Sequence, residues 1–251
     1  MAQSIVSWVF IILAITLLAS SSSTPTPEVT PTPVGTPTPI PPPTPTYTSI
    51  PPPTPVEFDF QGRGDSAVGP FNLVEGIALV LASHSGSGNF IIFIVGEGGD
   101  EVLTVNEIGR YTGVRGHAVR PANIIGLTAG SHRMEVSADG SWTISVVQKF
   151  PSGAQSLPLS VSGNGDDVVT WLRLDEGQPV MSANHTGSGN FIVELIEASG
   201  SPAVLMVNEI GGYQGEHLIK VDPNSFGFDP VPGIYAIIIQ ADGDWELRLA
   251  E

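Results

Sequence analysis

The side chains of this chain that could do chemistry come in pairs. His84 and His185 each open a His-x-Gly-Ser-Gly-Asn-Phe segment. An imidazole in such a tight loop could bind a metal ion or a sugar hydroxyl. One histidine per loop makes no zinc site without further ligands, and the commoner use of such a ring is to satisfy a backbone group at a turn. Asn106 and Glu107 recur as Asn208 and Glu209, followed by Tyr111 and Tyr213. Amide and carboxylate at a strand end could line a ligand groove, with the phenol ring stacking on a sugar. Equally, the amide could lock a turn while Glu faces water and Tyr covers an edge.

Asp65, and Asp166 with Asp167, sit in Gly-x-Gly-Asp turns. Carboxylates in glycine-rich loops could hold calcium, which takes about six to eight oxygen ligands. There is no EF-hand spacing and no Asp-x-Asp-x-Asp run, and an Asp that caps its own turn is commoner. Calcium is the one cofactor the sequence leaves room for; otherwise none is expected. Arg63-Gly-Asp65 spells an adhesion triplet, but the second copy has Asn164 at the arginine position, so the repeat itself explains the glycine and aspartate. No Gly-x-Ser-x-Gly, phosphate loop or His-Glu-x-x-His is present, and there is no cysteine. Nothing selects a catalytic pair, so the expectation is a protein that is not an enzyme.

These pairs belong to a longer repetition. His84-Ser-Gly-Ser-Gly-Asn-Phe90 returns as His185-Thr-Gly-Ser-Gly-Asn-Phe191, Val105-Asn-Glu-Ile-Gly-Arg-Tyr111 as Val207-Asn-Glu-Ile-Gly-Gly-Tyr213, and Ala138-Asp-Gly-Ser-Trp142 as Ala241-Asp-Gly-Asp-Trp245. The order is preserved, which means a tandem duplication of one domain. The expected organisation is a signal peptide or anchor over 1–21, a Thr/Pro-rich stalk over 22–56, a first repeat over 57–148, a linker over 149–156 and a second repeat over 157–251.

Ile5 to Ala19 is apolar apart from Ser and Thr, and small residues follow at Ser20 and Ser21. That pattern fits the core of an export signal, helical and short for a membrane span. The next segment is almost entirely Thr, Pro and Ser. Proline fixes φ and removes the amide donor, so neither helix nor sheet forms and the segment is expected to be disordered. Extended polyproline II would give a semi-rigid spacer on the order of 100 Å. The protein is therefore expected to be exported, either extracellular or anchored at the cell surface. Contact with the membrane is expected only through the N-terminal segment.

The formal net charge is -16, with nine Lys+Arg against 25 Asp+Glu. Such a surface repels phosphate backbones and anionic headgroups, so no nucleic-acid partner is expected. Short apolar or alternating runs bounded by Gly, Asn and Asp, such as Phe90 to Val95 and Phe191 to Ile196, read as strands. Many short strands with closely spaced turns mean an all-β sandwich or barrel. The residues around Ala138-Asp-Gly140 read as a hairpin with a three-residue loop. In that register Val136 faces Trp142, Met134 faces Ile144, and Gly140 and Gly243 take the left-handed conformation. Both tryptophans are then core residues.

The succession Gly163-Asn-Gly-Asp166, Leu174-Asp-Glu-Gly177, Gly189-Asn-Phe191, Gly233-Ile-Tyr235 and Ala241-Asp-Gly-Asp-Trp245 resembles the small jelly-roll repeats of secreted prokaryotic proteins. Pre-peptidase C-terminal-like domains and related carbohydrate-binding-like sandwiches are the nearest in kind. The first repeat departs from the pattern where Gly130-Ser-His132 replaces Gly-x-Tyr. The resemblance implies two tandem jelly-roll-like β-sandwiches and a non-catalytic role outside the cell. The expected function is a binding or adhesion module for glycans or envelope components. The alternatives are a structural spacer without a soluble ligand and, more weakly, an extracellular hydrolase with a carboxylate pair.

Overall fold

A computed structural model describes residues 56–121, 126–201, 204–225 and 229–251. The apolar N-terminal run and the stalk up to residue 55 lie outside the described residues. Sixteen strands are found among the described residues, eight in each repeat. In the first repeat they are β1 (Val56–Arg63), β2 (Ser66–Leu73), β3 (Gly76–His84), β4 (Asn89–Gly96), β5 (Glu101–Ile108), β6 (Tyr111–Val119), β7 (Gly130–Ala138) and β8 (Ser141–Gln148). In the second they are β9 (Leu159–Asn164), β10 (Asp167–Leu174), β11 (Val180–His185), β12 (Asn190–Glu197), β13 (Val204–Ile210), β14 (Tyr213–Leu218), β15 (Gly233–Gln240) and β16 (Asp244–Ala250).

The strands form four antiparallel sheets of four, an all-β arrangement compatible with β-sandwich domains. The first repeat has the orders β1-β8-β3-β6 and β2-β7-β4-β5. The second repeats them as β9-β16-β11-β14 and β10-β15-β12-β13. Alternate residues of each strand point into the core, as in β7, where His132, Met134, Val136 and Ala138 are buried between exposed neighbours. Phe90, Ile92, Met134, Trp142 and Ile144 fill the first core. Phe191, Val193, Ile237, Trp245 and Leu247 fill the second.

The hairpin expected at Ala138-Asp-Gly140 does not form. β7 pairs with β2 and β4, whereas β8 pairs with β1 and β3, so the chain crosses from one sheet to the other at this corner. Val136 and Trp142 are both buried, but from facing sheets. The inside-outside alternation was legible because it is a property of one strand. A register between two strands is not, since residues facing across a core give the same pattern as residues paired within a sheet. Gly140 and Gly243 are also not among the glycines with positive φ. They are needed for close approach: a Cβ on Gly140 would meet the backbone of Gly86, and one on Gly243 the backbone of Gly187.

Both repeats lie within one compact unit. A third apolar cluster joins them. Ile77, Leu79 and Val147 of the first repeat pack on Ile196, Ala236 and Ile238 of the second, with Val114, Ala118, Val168 and Trp171 around them. The contact is close. A Cβ on Gly116 would collide with Ile238, and one on Gly200 with the carbonyl of Val119.

Candidate functional site

The three matched motifs meet at one end of each repeat and build a clasp. His84 Nδ1 lies 2.7 Å from the Gly109 carbonyl. A carbonyl only accepts, so Nδ1 carries the proton. Nε2 lies 3.2 Å from Asp139 Oδ1 without hydrogen-bond alignment, a contact that is an ion pair only when the ring carries a second proton. Asp139 Oδ2 in turn accepts from the backbone N–H groups of Ser87 at 3.0 Å and Gly88 at 2.8 Å. These two N–H groups hold the Asp139 carboxyl below its ordinary value. The ring of His84 stacks on Phe90 at 4.6 Å, and Tyr111 packs on Phe90 at 5.8 Å.

The second repeat reproduces each contact. His185 Nδ1 is 2.9 Å from the Gly211 carbonyl, and Nε2 is 3.3 Å from Asp242 Oδ1. Asp242 Oδ2 accepts from Ser188 and Gly189 at 2.9 and 2.7 Å. Phe191 lies between His185 and Tyr213. His84 and His185 are both buried, and both ring nitrogens already face protein oxygens. Their retention is accounted for by turn chemistry.

The Gly-x-Gly-Asp turns clamp the same corner from the other side. Asp65 Oδ1 accepts from Ala138 N at 2.9 Å and Ser137 Oγ at 3.0 Å. Asp166 Oδ1 accepts from Ala241 N at 3.0 Å. Asp167 Oδ1 accepts from the next backbone N–H, that of Val168, at 2.7 Å. Trp142 Nε1 donates to the Gly64 carbonyl at 2.9 Å, and Trp245 Nε1 to Gly165 at 2.8 Å. Gly64 and Gly165 have φ of 71° and 73°, a conformation that costs glycine little and other residues more. Among the described residues no group of three or more His, Asp or Glu converges as a metal site would require.

The two repeats then part company. In the first, the clasp end faces the second repeat. Arg115 of β6, which is buried, reaches Asp166 Oδ2 at 2.8 Å and Glu107 Oε1 at 3.1 Å. Tyr111 donates its phenol proton to Asp166 Oδ2 at 2.8 Å. Val114 N donates to the Asp166 carbonyl at 3.3 Å. Burial pushes the carboxyls of Glu107 and Asp166 upward, against the opposing pull of Arg115. Burial, with Asp166 beside it, raises the Tyr111 phenol as well.

Above this network lies a cleft of about 490 Å³ lined by both repeats. Asn106, Glu107, Arg110 and Tyr111 come from the first repeat, and Asp166, Asn190, Gln240 and Asp242 from the second. It adjoins a shallower groove of about 830 Å³ over the outer face of β1, β8, β3 and β6, sharing Thr112, Asn164 and Asp166 with it. The structure therefore brings Asn106, Glu107 and Tyr111 together with a partner surface. Asn208 and Glu209 are exposed, and Tyr213 packs on its own core, with no repeat opposite them.

Sequence reasoning missed Arg115, Asn190, Gln240 and Asp242. Asp242 could have been found, since it recurs with Asp139 inside a matched motif. Arg115 could not, because its counterpart is His217 and nothing local marks it. The exposed large apolar side chains among the described residues are Val74, Leu81, Leu103, Ile108, Leu205, Ile210 and Leu218, and none is aromatic. The chain matches no protein-family model, and no curated protein matches it.

Proposed function

We propose that this chain is an exported, non-enzymatic binding module of the cell surface. In this reading two jelly-roll-like repeats, of the kind seen in pre-peptidase C-terminal-like domains, are held out on a Thr/Pro-rich stalk behind an export signal. They bind a glycan or another envelope component without a cofactor. The observation that carries the reading is the junction. A third apolar cluster fixes one repeat on the other, and polar side chains from both converge on one open cleft. Clefts where domains meet, with a few convergent polar groups, are the usual place for a ligand. The sheet orders support the jelly-roll assignment, since consecutive strands alternate between the facing sheets except at β4–β5 and β12–β13, which pair within one sheet.

A second reading, a structural spacer without a soluble ligand, is favoured by the burial of Trp142, Trp245 and Tyr235. Among the described residues no aromatic side chain stands fully exposed as a platform for a sugar ring.

The test is retention of the full chain on insoluble polysaccharides and on cell-envelope fractions, with and without calcium. Retention on one matrix supports the binding module. Calcium dependence would return weight to the Gly-x-Gly-Asp turns. Loss of the chain from every matrix would leave the spacer reading. Cell fractionation tests export in the same preparation.

A further inference from the structure

Four side chains that point into the junction cleft are unused by the protein. Asn106 and Arg110 of the first repeat, and Asn190 and Gln240 of the second, line it without any hydrogen bond to the described residues. Its carboxylates are largely committed. Asp166 is held by Arg115, Tyr111 and Ala241, Asp242 by Ser188 and Gly189, and Glu107 by Arg115. Two of the four free groups also differ between the repeats. Arg110 corresponds to Gly212, and Gln240 to Ser137, so these side chains occur only on the copies that face the junction.

We infer that this cleft is a single composite site for an uncharged, polyhydroxylated ligand, a saccharide unit, and that it exists only because the repeats are stacked. The inference rests on the binding reading above and names its site and ligand class. Three physical points select the class. An anion would meet Glu107, Asp166 and Asp242 in a molecule of net charge -16. A divalent cation would favour several uncommitted carboxylate oxygens, and most of those of Asp166 and Asp242 are taken up by N–H and O–H donors. A neutral hydroxyl both donates and accepts, as the amides of Asn106, Asn190 and Gln240 do, so each amide can engage adjacent hydroxyls through its oxygen and nitrogen together. The wall beneath is held by Arg115 and Tyr111, so little has to be ordered on binding.

The experiment is binding of the full chain to a printed array of neutral and acidic glycans, compared with N190A, Q240A and the control N89A. Asn89 is the counterpart of Asn190 and does not line the cleft. Binding to neutral glycans that falls about tenfold in N190A and in Q240A, and is unchanged in N89A, is the expected result. Glycan binding that is indifferent to N190A and Q240A would overturn the composite site while leaving the binding module intact. Binding confined to acidic glycans would overturn the ligand class. No binding to the array, combined with retention on an envelope fraction, would overturn the saccharide. No binding in either assay would remove the binding reading itself. I238E, which places a charge in the contact between the repeats, separates composite from single-repeat binding. The composite site requires that it abolish glycan binding even where each repeat stays folded.

Discussion

Arg115 of the first repeat and Asp166 of the second are joined at 2.8 Å, with side chains only 10% and 4% exposed. This buried pair spans two units that are otherwise copies of each other. Its partners are asymmetric, because Asp166 is also the residue that clamps its own repeat's corner through Ala241 N. The junction thus uses a carboxylate that the duplication had already placed for another purpose.

R115A is expected to destabilise the protein by about 3 kcal/mol, because it leaves Asp166 buried without its cation. R115H, which installs the residue found at the matching position of the second repeat, should lose nearly as much at neutral pH. Urea denaturation followed by tryptophan fluorescence measures both. A loss below about 0.5 kcal/mol would show that the pair is solvated and contributes no more than a surface ion pair.

I238E tests the apolar part of the junction. Ile238 is 6% exposed against the first repeat, and its counterpart in the first repeat is Glu135, which is exposed and paired with Arg133. A charge at position 238 would be buried without a partner, at a cost of about 3 kcal/mol. Calorimetry should then resolve two transitions where the parent gives one. A single transition at an unchanged temperature would mean that the repeats unfold independently already.

The clasp is tested at Gly86 and Gly187. A Cβ at Gly86 would collide with Asp139 and His84, and one at Gly187 with Asp242 and His185. G86A and G187A should each cost about 2 kcal/mol, mostly through displacement of the carboxylate from its N–H donors. G153A, where nothing lies within 4 Å of the new atom, should be neutral. Equal melting temperatures for all three variants would refute the clasp.

His117 gives the pH dependence. Burial, aided by the charge of Arg115, lowers its imidazole to about 4, and its Nε2 has no partner. The unfolded chain therefore takes up a proton that the folded protein refuses. Stability from this group is complete above the ordinary histidine value of about 6.5 and falls as pH drops towards 4, by about 3 kcal/mol in all. H117I, which copies Ile219 of the second repeat, should flatten the curve in that window.

Asp139 and Asp242 act lower on the scale. Both carboxyls are held below their ordinary values, so the stability they add is present above the ordinary carboxylate range and is lost as pH falls through their lowered values. D139N and D242N should each weaken the protein at neutral pH and reduce the loss seen on further acidification. Denaturation midpoints measured from pH 7 to pH 2 separate this window from that of His117.

What the sequence determined by itself is what one strand or one motif can carry. The duplication, the all-β class and the burial of Trp142 and Trp245 were legible because alternation and repetition are local in the chain. The pairing of β7 was not, since a side chain that enters a core from one sheet looks the same in sequence as one that enters from the facing sheet. Nor was the clasp, although its parts were the best matched residues of the chain: His84, Asp139 and Gly109 are far apart in sequence and meet only when three loops close on one corner. The tertiary structure alone decided that Asn106 and Glu107 face a second repeat while Asn208 and Glu209 face solvent. That difference follows from outer-face residues such as Val114 and Ala118 against their counterparts Glu216 and Lys220. Their meaning depends on which sheet face meets another, and apolar residues on one copy bury only where the other copy supplies a matching surface.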